Sequence, residues 1–193
     1  MKIKTRTILT EQEIELLKGC LAAQQSAQAS LYALYSPKMM IVCLRYARNL
    51  EEAEEILQDG FLRVFRFLYQ FKNEGSLEGW IRKIMVNCAL HKLKNQHLRP
   101  IVAFDGELHN PSIDNDIIEK ISSKELLIMI QTLSPAYRMV FNLYYFEGLK
   151  HREIAKLLDI TEGTSKSNLA QARRILQNLI NDHSEIVKNI HHG

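Results

Sequence analysis

The stretch from Leu98 to Asp116 constrains this chain more than any other, because it carries Pro100, Gly106 and Pro111 with no sustained helical period. Proline removes an amide donor and fixes φ, so a helix cannot run through this segment, and it reads as a linker. Helical patterning dominates on both sides. No strict apolar/polar alternation, no Asn-Gly or Asp-Gly hairpin between apolar runs and no solenoid-length repeat occurs in the 193 residues. The expectation is therefore an all-α protein of two small domains, 1–97 and 122–193, joined by a flexible linker over 98–121. Helices are expected at about 11–23, 27–48, 51–70, 77–95, 122–132, 135–146, 150–158 and 162–181.

Composition narrows the class. At 46% hydrophobic and 24% charged, the chain can build ordinary cores, and no apolar run approaches the roughly 20 residues of a membrane span. The basic start, Lys2 to Arg6, leads into Glu11, Glu13 and Glu15 rather than an apolar segment, so no export signal is expected. Cys20, Cys43 and Cys88 are widely spaced, which argues against a disulfide framework and fits a reducing, cytoplasmic setting. No Gly-rich phosphate loop and no catalytic triad order or His-Glu-x-x-His run is present, so enzyme chemistry has no support. Cys88 and His91 have Cys-x-x-His spacing and His183, His191 and His192 lie near the C-terminus, but Cys88 falls on an apolar helix side. No metal or cofactor is expected.

The net charge of +3 is weak for a nucleic-acid binder, yet it conceals a pattern. Residues 1–97 carry 14 basic and 10 acidic side chains, residues 98–121 carry 2 and 5, and residues 122–193 carry 9 and 7. Glu51, Glu52, Glu54, Glu55 and Asp59 come without a cation among them, and are followed by eight cations from Arg63 to Arg99. An acidic surface should therefore adjoin a basic one.

On a helix over 51–71, Ala53, Ile56, Leu57, Gly60, Val64, Leu68 and Phe71 form the core stripe. Opposite lie Glu51, Glu55, Gln58, Asp59, Leu62 and Arg66, with Phe61 and Phe65 at the margins. Leu62 among acids is either an ordinary surface leucine or part of a partner site. In the helix over 77–95 the apolar positions cover most of the circumference, so it should lie centrally. One stripe differs: Trp80, Lys83, Asn87, His91 and Lys94 align an aromatic plane, two cations, an amide and an imidazole. Such parts suit single-stranded nucleic acid, where bases stack and cations track phosphates; the alternative is a core tryptophan beside a solvated edge. Before it comes a loop with Phe71, Lys72 and Asn73.

Residues 149–181 carry the most specific pattern. A short helix to Leu158, a turn at Asp159 and Ile160, and Thr161 as the N-cap of a long helix read as a helix-turn-helix. Ser165, Leu169, Ala172, Leu176 and Leu179 face inward. Outward lie Gly163, Ser167, Ala170, Gln171 and Arg174, flanked by Lys166, Asn168 and Arg173, a set of small residues and donors suited to a major groove.

These residues resemble the extracytoplasmic-function (ECF) class of bacterial RNA polymerase sigma factors, in the sigma-70 family. Glu54 to Phe71 and Gly75 to Gln96 resemble the second conserved region and its continuation. Leu133 to Leu176 resembles the fourth. The resemblance covers nearly all of the chain outside the linker and the extreme ends, and it implies a region 2 helical bundle and a region 4 helix-turn-helix that direct core polymerase to promoters. It further implies that Glu55, Gln58, Asp59 and Phe61, with Leu62 in the same patch, dock on the clamp helices of the beta-prime subunit. Phe71, Lys72, Asn73, Trp80, Lys83, Asn87, His91 and Lys94 would capture and melt the minus-ten element of promoter DNA. Lys166, Ser167, Asn168, Gln171, Arg173 and Arg174 would read the minus-thirty-five element. A membrane-tethered anti-sigma factor is a further partner the family implies. The chain departs from the family run at Ser165 and Asn168, where Val and Arg are frequent. A stand-alone helix-turn-helix regulator is the alternative, which would leave Leu62 and the Trp80 stripe idle.

Overall fold

The computed structural model describes the backbone of residues 9–95 and 123–190 and the side chains of 9–92 and 124–182. The segment 98–121 expected as a linker, and His191 and His192, lie outside the described residues, as do the side chains of Lys94 and His183. The chain divides into two compact units, residues 1–100 and 101–193. All regular structure among the described residues is helical.

In the first unit α1 (Glu11–Leu21), α2 (Gln25–Tyr46), α3 (Leu50–Phe67) and α4 (Leu77–Asn95) pack as a bundle, with a 3-10 turn (Leu68–Gln70) closing α3. A capping box opens α1: the Glu13 amide donates to Thr10 Oγ1 at 3.2 Å, and the Thr10 amide donates to Glu13 Oε2 at 2.8 Å. Glu13 also accepts from the Tyr35 hydroxyl at 2.8 Å, tying α1 to α2. These hydrogen bonds, first among them the Thr10 amide, hold the Glu13 carboxyl below its usual range. α2 runs through Pro37, which takes one amide out of its ladder. Asn49 caps α3 by accepting from the Glu52 amide at 2.9 Å.

α3 and α4 pack against each other. A Cβ at Gly60 would collide with Sδ and Cε of Met85, so the missing side chain leaves room for that methionine of α4 in the core. Leu77, Ile81, Met85, Val86, Ala89 and Leu90 are all buried, which makes α4 central as its patterning predicts. Ser76 starts it, accepting from the Gly79 amide at 3.0 Å.

The second unit contains α5 (Ser123–Thr132), α6 (Pro135–Tyr145), α7 (His151–Leu158) and α8 (Glu162–Ile190). Pro135 sits in the first turn of α6, where its missing amide costs nothing. Asp159 ends α7 in the left-handed region (φ 56°), a conformation that Asp tolerates and that turns the chain sharply into α8. Thr161 caps α8, accepting from the Thr164 amide at 3.0 Å. The expected inward stripe of α8 is buried at Ser165, Leu169, Ala172 and Leu176, with Ile180 rather than Leu179 buried at its end. The helix continues to Ile190, past the expected end at 181.

Candidate functional site

The outward face of α3 is built by its amphipathic register. Burying Ala53, Ile56, Leu57 and Val64 forces Glu55, Gln58, Asp59 and Leu62 outward, and Leu62 is 69% exposed. Phe61 departs from its expected place in this patch. It is only 3% exposed, with its ring 4.6 Å from Tyr32 of α2 and 6.1 Å from Phe65, because α2 covers the margin of the stripe. It supports the face from beneath. The acidic run is also less bare than its sequence suggests. Glu52 turns inward and accepts from the Arg48 amide at 2.7 Å and from Arg48 Nε at 3.1 Å, while Lys92 of α4 pairs with Glu55. The acids left outward are Glu51, Glu54 and Asp59 beside the partly neutralised Glu55.

The loop after α3 and the exposed edge of α4 form a second surface. Phe71 and Trp80 lie 5.6 Å apart with rings tilted by 55°, both half-buried, so the tryptophan is neither in the core nor fully exposed. Between them in sequence, Lys72 is exposed and Asn73 adopts φ 55°, which a short polar side chain accommodates. The Asn73 Oδ1 atom is buried and has no hydrogen-bond partner among the described residues. Lys83 and Asn87 are half-buried and His91 is exposed along the same side of α4.

In the second unit Lys166, Ser167, Arg173 and Arg174 are exposed on α8, and Asn168 and Gln171 are half-buried. Ser167 Oγ is turned back onto the Thr164 carbonyl at 3.0 Å. The start of α8 is held to α7 by a polar contact: His151 Nδ1 lies 2.9 Å from the Oγ of Ser165, which is fully buried, and the imidazole stacks on Tyr144 at 5.0 Å.

Two family models match the chain in order, Sigma-70 region 2 over residues 31–99 and Sigma-70, region 4 over residues 123–176. The chain belongs to the sigma-70 family. Among curated proteins it is similar to the RNA polymerase sigma-H factor of Pseudomonas aeruginosa, with 24% identity over 181 residues, 86% of this chain and 92% of that one. It is also similar to the ECF RNA polymerase sigma-E factor of Haemophilus influenzae, with 29% identity over 163 residues, 78% of this chain and 85% of that one. A solved structure of the sigma factor RpoE with the anti-sigma factor NepR, from Bartonella quintana, is similar at 17% identity and TM-score 0.48, covering 79% of this chain and 96% of that chain.

The protein is thus a sigma factor of the ECF class, an initiation factor that directs RNA polymerase to promoters. The stand-alone regulator is set aside, since it has no use for a complete region 2. No described helix of this sigma factor is long and apolar enough to cross a membrane. Its three thiols are buried, and burial pushes Cys43 up to about 12 and Cys88 up to about 11, which disfavours the thiolate at both. Cys88 is buried while His91 on the same helix is exposed, so they do not converge on one site.

Sequence reasoning missed His151 as the partner of Ser165. The signal was present in the polar Ser165 assigned to an inward position, which demands a hydrogen-bond partner when buried. It also missed the buried polar residues of α6 and its exit, Arg138, Asn142 and Glu147.

Proposed function

We propose that this sigma factor works through three surfaces and performs no bond chemistry itself. Glu55, Gln58, Asp59 and Leu62 dock on the beta-prime clamp helices of core polymerase, with Phe61 holding the patch from below. Phe71, Lys72, Asn73, Trp80, Lys83, Asn87, His91 and Lys94 capture the minus-ten element as single strand. Lys166, Ser167, Asn168, Gln171, Arg173 and Arg174 read the minus-thirty-five element as duplex. Residues 98–121 tether the units 1–97 and 122–193, so that each weak contact raises the effective concentration of the other. The protein acts in the cytoplasm, and an anti-sigma factor that covers these surfaces is its natural regulator.

The observation that carries this reading is the pair of half-buried Phe71 and Trp80 rings, 5.6 Å apart and tilted by 55°, with exposed Lys72 in the same loop. An unstacked base offers a π-face to such rings, and the strand that carries it offers phosphates to Lys72. Unpairing a base costs a few kcal/mol, and stacking on an aromatic returns about 1–3 kcal/mol, so such a site can hold a base open once polymerase has positioned it.

The test is transcription in vitro with purified core polymerase on a promoter library. Promoter-specific starts that depend on this protein are expected, with Trp80→Ala retaining closed-complex binding but losing strand opening measured by permanganate reactivity. Absence of specific starts from inhibitor-free protein would overturn the proposal.

A further inference from the structure

We propose that Lys92 of α4 is a positioning residue for the docking of core polymerase: it holds the Glu55 carboxylate at one edge of the α3 face and leaves the second carboxylate oxygen to the partner. This rests on the reading of α3 as the helix that meets the beta-prime clamp helices.

The periodicity of α4 sets Lys92 apart from the other polar residues of that helix. Trp80, Lys83, Asn87 and His91 follow at spacings of three and four along one side, whereas Lys92 continues the row of Ile81, Met85 and Cys88. Those three are buried. Turn by turn the row tracks along α3: Met85 packs over Gly60, the charges of Arg63 and Asp59 act on the Cys88 thiol, and Lys92 Nζ pairs with Glu55 Oε2. The ion pair therefore closes the end of a packed helix interface. Only 24% of the Lys92 side chain is exposed, against 58% of the Glu55 side chain. A lysine whose stem is covered has few rotamers left to lose, which separates this pair from an ordinary surface ion pair.

The consequence falls on Glu55. A glutamate alone on a helix surface samples many rotamers, and ordering it counts against binding. Lys92 selects one of them in advance. A carboxylate has about four acceptor positions, so the contact through Oε2 leaves Oε1 able to accept from a donor of the partner. The other edge of the same face is supported in a similar way, since the Phe61 ring is backed by Tyr32 of α2 at 4.6 Å. Exposed Leu62 lies between these two edges around the helix. On this placement α4 serves two ligands from two sides: Trp80 to His91 toward the separated strand, and Lys92 toward core polymerase through Glu55.

The experiment is a double-mutant cycle on Lys92 and Glu55, read as the affinity of the full chain for purified core polymerase. Lys92→Gln should weaken core binding about two- to five-fold, the range of one partly exposed ion pair. Lys92→Arg keeps the cation and should bind like wild type. In a Glu55→Gln chain the Lys92→Gln change should have no further effect. Holoenzyme assembled at saturating core should capture a single-stranded minus-ten oligonucleotide, taken from a promoter selected in vitro, as wild type does, because Lys92 lies off the Trp80 side. Core affinity of Lys92→Gln equal to or tighter than wild type overturns the proposal, tighter binding being the sign of a lysine that core must displace. Three other results overturn it as well: an equal loss with and without the Glu55 carboxylate, a loss in Lys92→Arg as large as in Lys92→Gln, or a loss of strand capture. Leu62→Ala separates the two levels of the argument. If it binds core as wild type, the reading of α3 falls and the Lys92 proposal with it; if it binds weakly while Lys92→Gln binds as wild type, only the Lys92 proposal falls.

Discussion

α3 and α8 solve the same problem of presentation with opposite chemistry. Each buries an apolar stripe and leaves its other side outward, yet α3 shows Leu62 among Gln58 and Asp59, whereas α8 shows Lys166, Arg173 and Arg174 among small and amide side chains. An exposed leucine beside an acid and an amide suits a protein surface, where an apolar anchor is desolvated and charge sets orientation. Cations and amides over small residues suit a polyanion whose base edges must be approached closely.

The contrast can be broken by reversing the sign on α3. Asp59→Arg should cost about 2–4 kcal/mol in binding to core polymerase, a loss of about thirty-fold or more, while leaving affinity for isolated duplex unchanged. Co-sedimentation with core and a duplex binding assay read the two effects separately. Equal loss in both assays would mean that α3 and α8 do not divide the work.

A smaller effect should come from the other side. Replacing Arg173 and Arg174 by Ala should flatten the dependence of log affinity on log salt by about 0.9 for each phosphate contact removed. Binding to core should not change. A salt slope identical to wild type would place neither arginine on phosphate.

Two further substitutions test the scaffolds rather than the faces. Gly60→Ala should destabilise the first unit by about 1–3 kcal/mol, read from urea unfolding, because the new methyl meets Met85 in a filled core. Met85→Ala in the same chain should recover part of that loss. Thr161→Ala should cost about 1 kcal/mol in the second unit, since it removes the acceptor for the Thr164 amide.

Much of the fold is legible in the sequence because amphipathic period and capping are local properties. Thr161 announces α8, and Gly60 falls within the stripe that packs on α4. The features that were not legible depend on a second element arriving from elsewhere. Phe61 sits at the margin of its stripe, and only the position of Tyr32 on α2 decides that it is buried. Glu52 belongs to an acidic run, and only the backbone turn before α3 brings Arg48 onto it. The polar nature of Ser165 was visible, but its partner lies 14 residues away across a turn. The candidate site divides in the same way: Leu62, Trp80 and the α8 cations follow from periodicity, whereas the buried Asn73 oxygen follows from a left-handed residue that no pattern encodes.

The 3-10 turn at Leu68–Gln70 has a mechanical meaning. It leads without a break from the helix that carries Leu62 into the loop that carries Phe71 and Asn73, and Met85 of the helix bearing Trp80 packs over Gly60 of the first. On the proposed roles, grip on the enzyme and grip on the separated strand are set by one short covalent ruler. The site of opening is then measured out from the polymerase by bond lengths, and stretching that ruler by a single inserted residue should misplace the start of transcription while both grips stay whole.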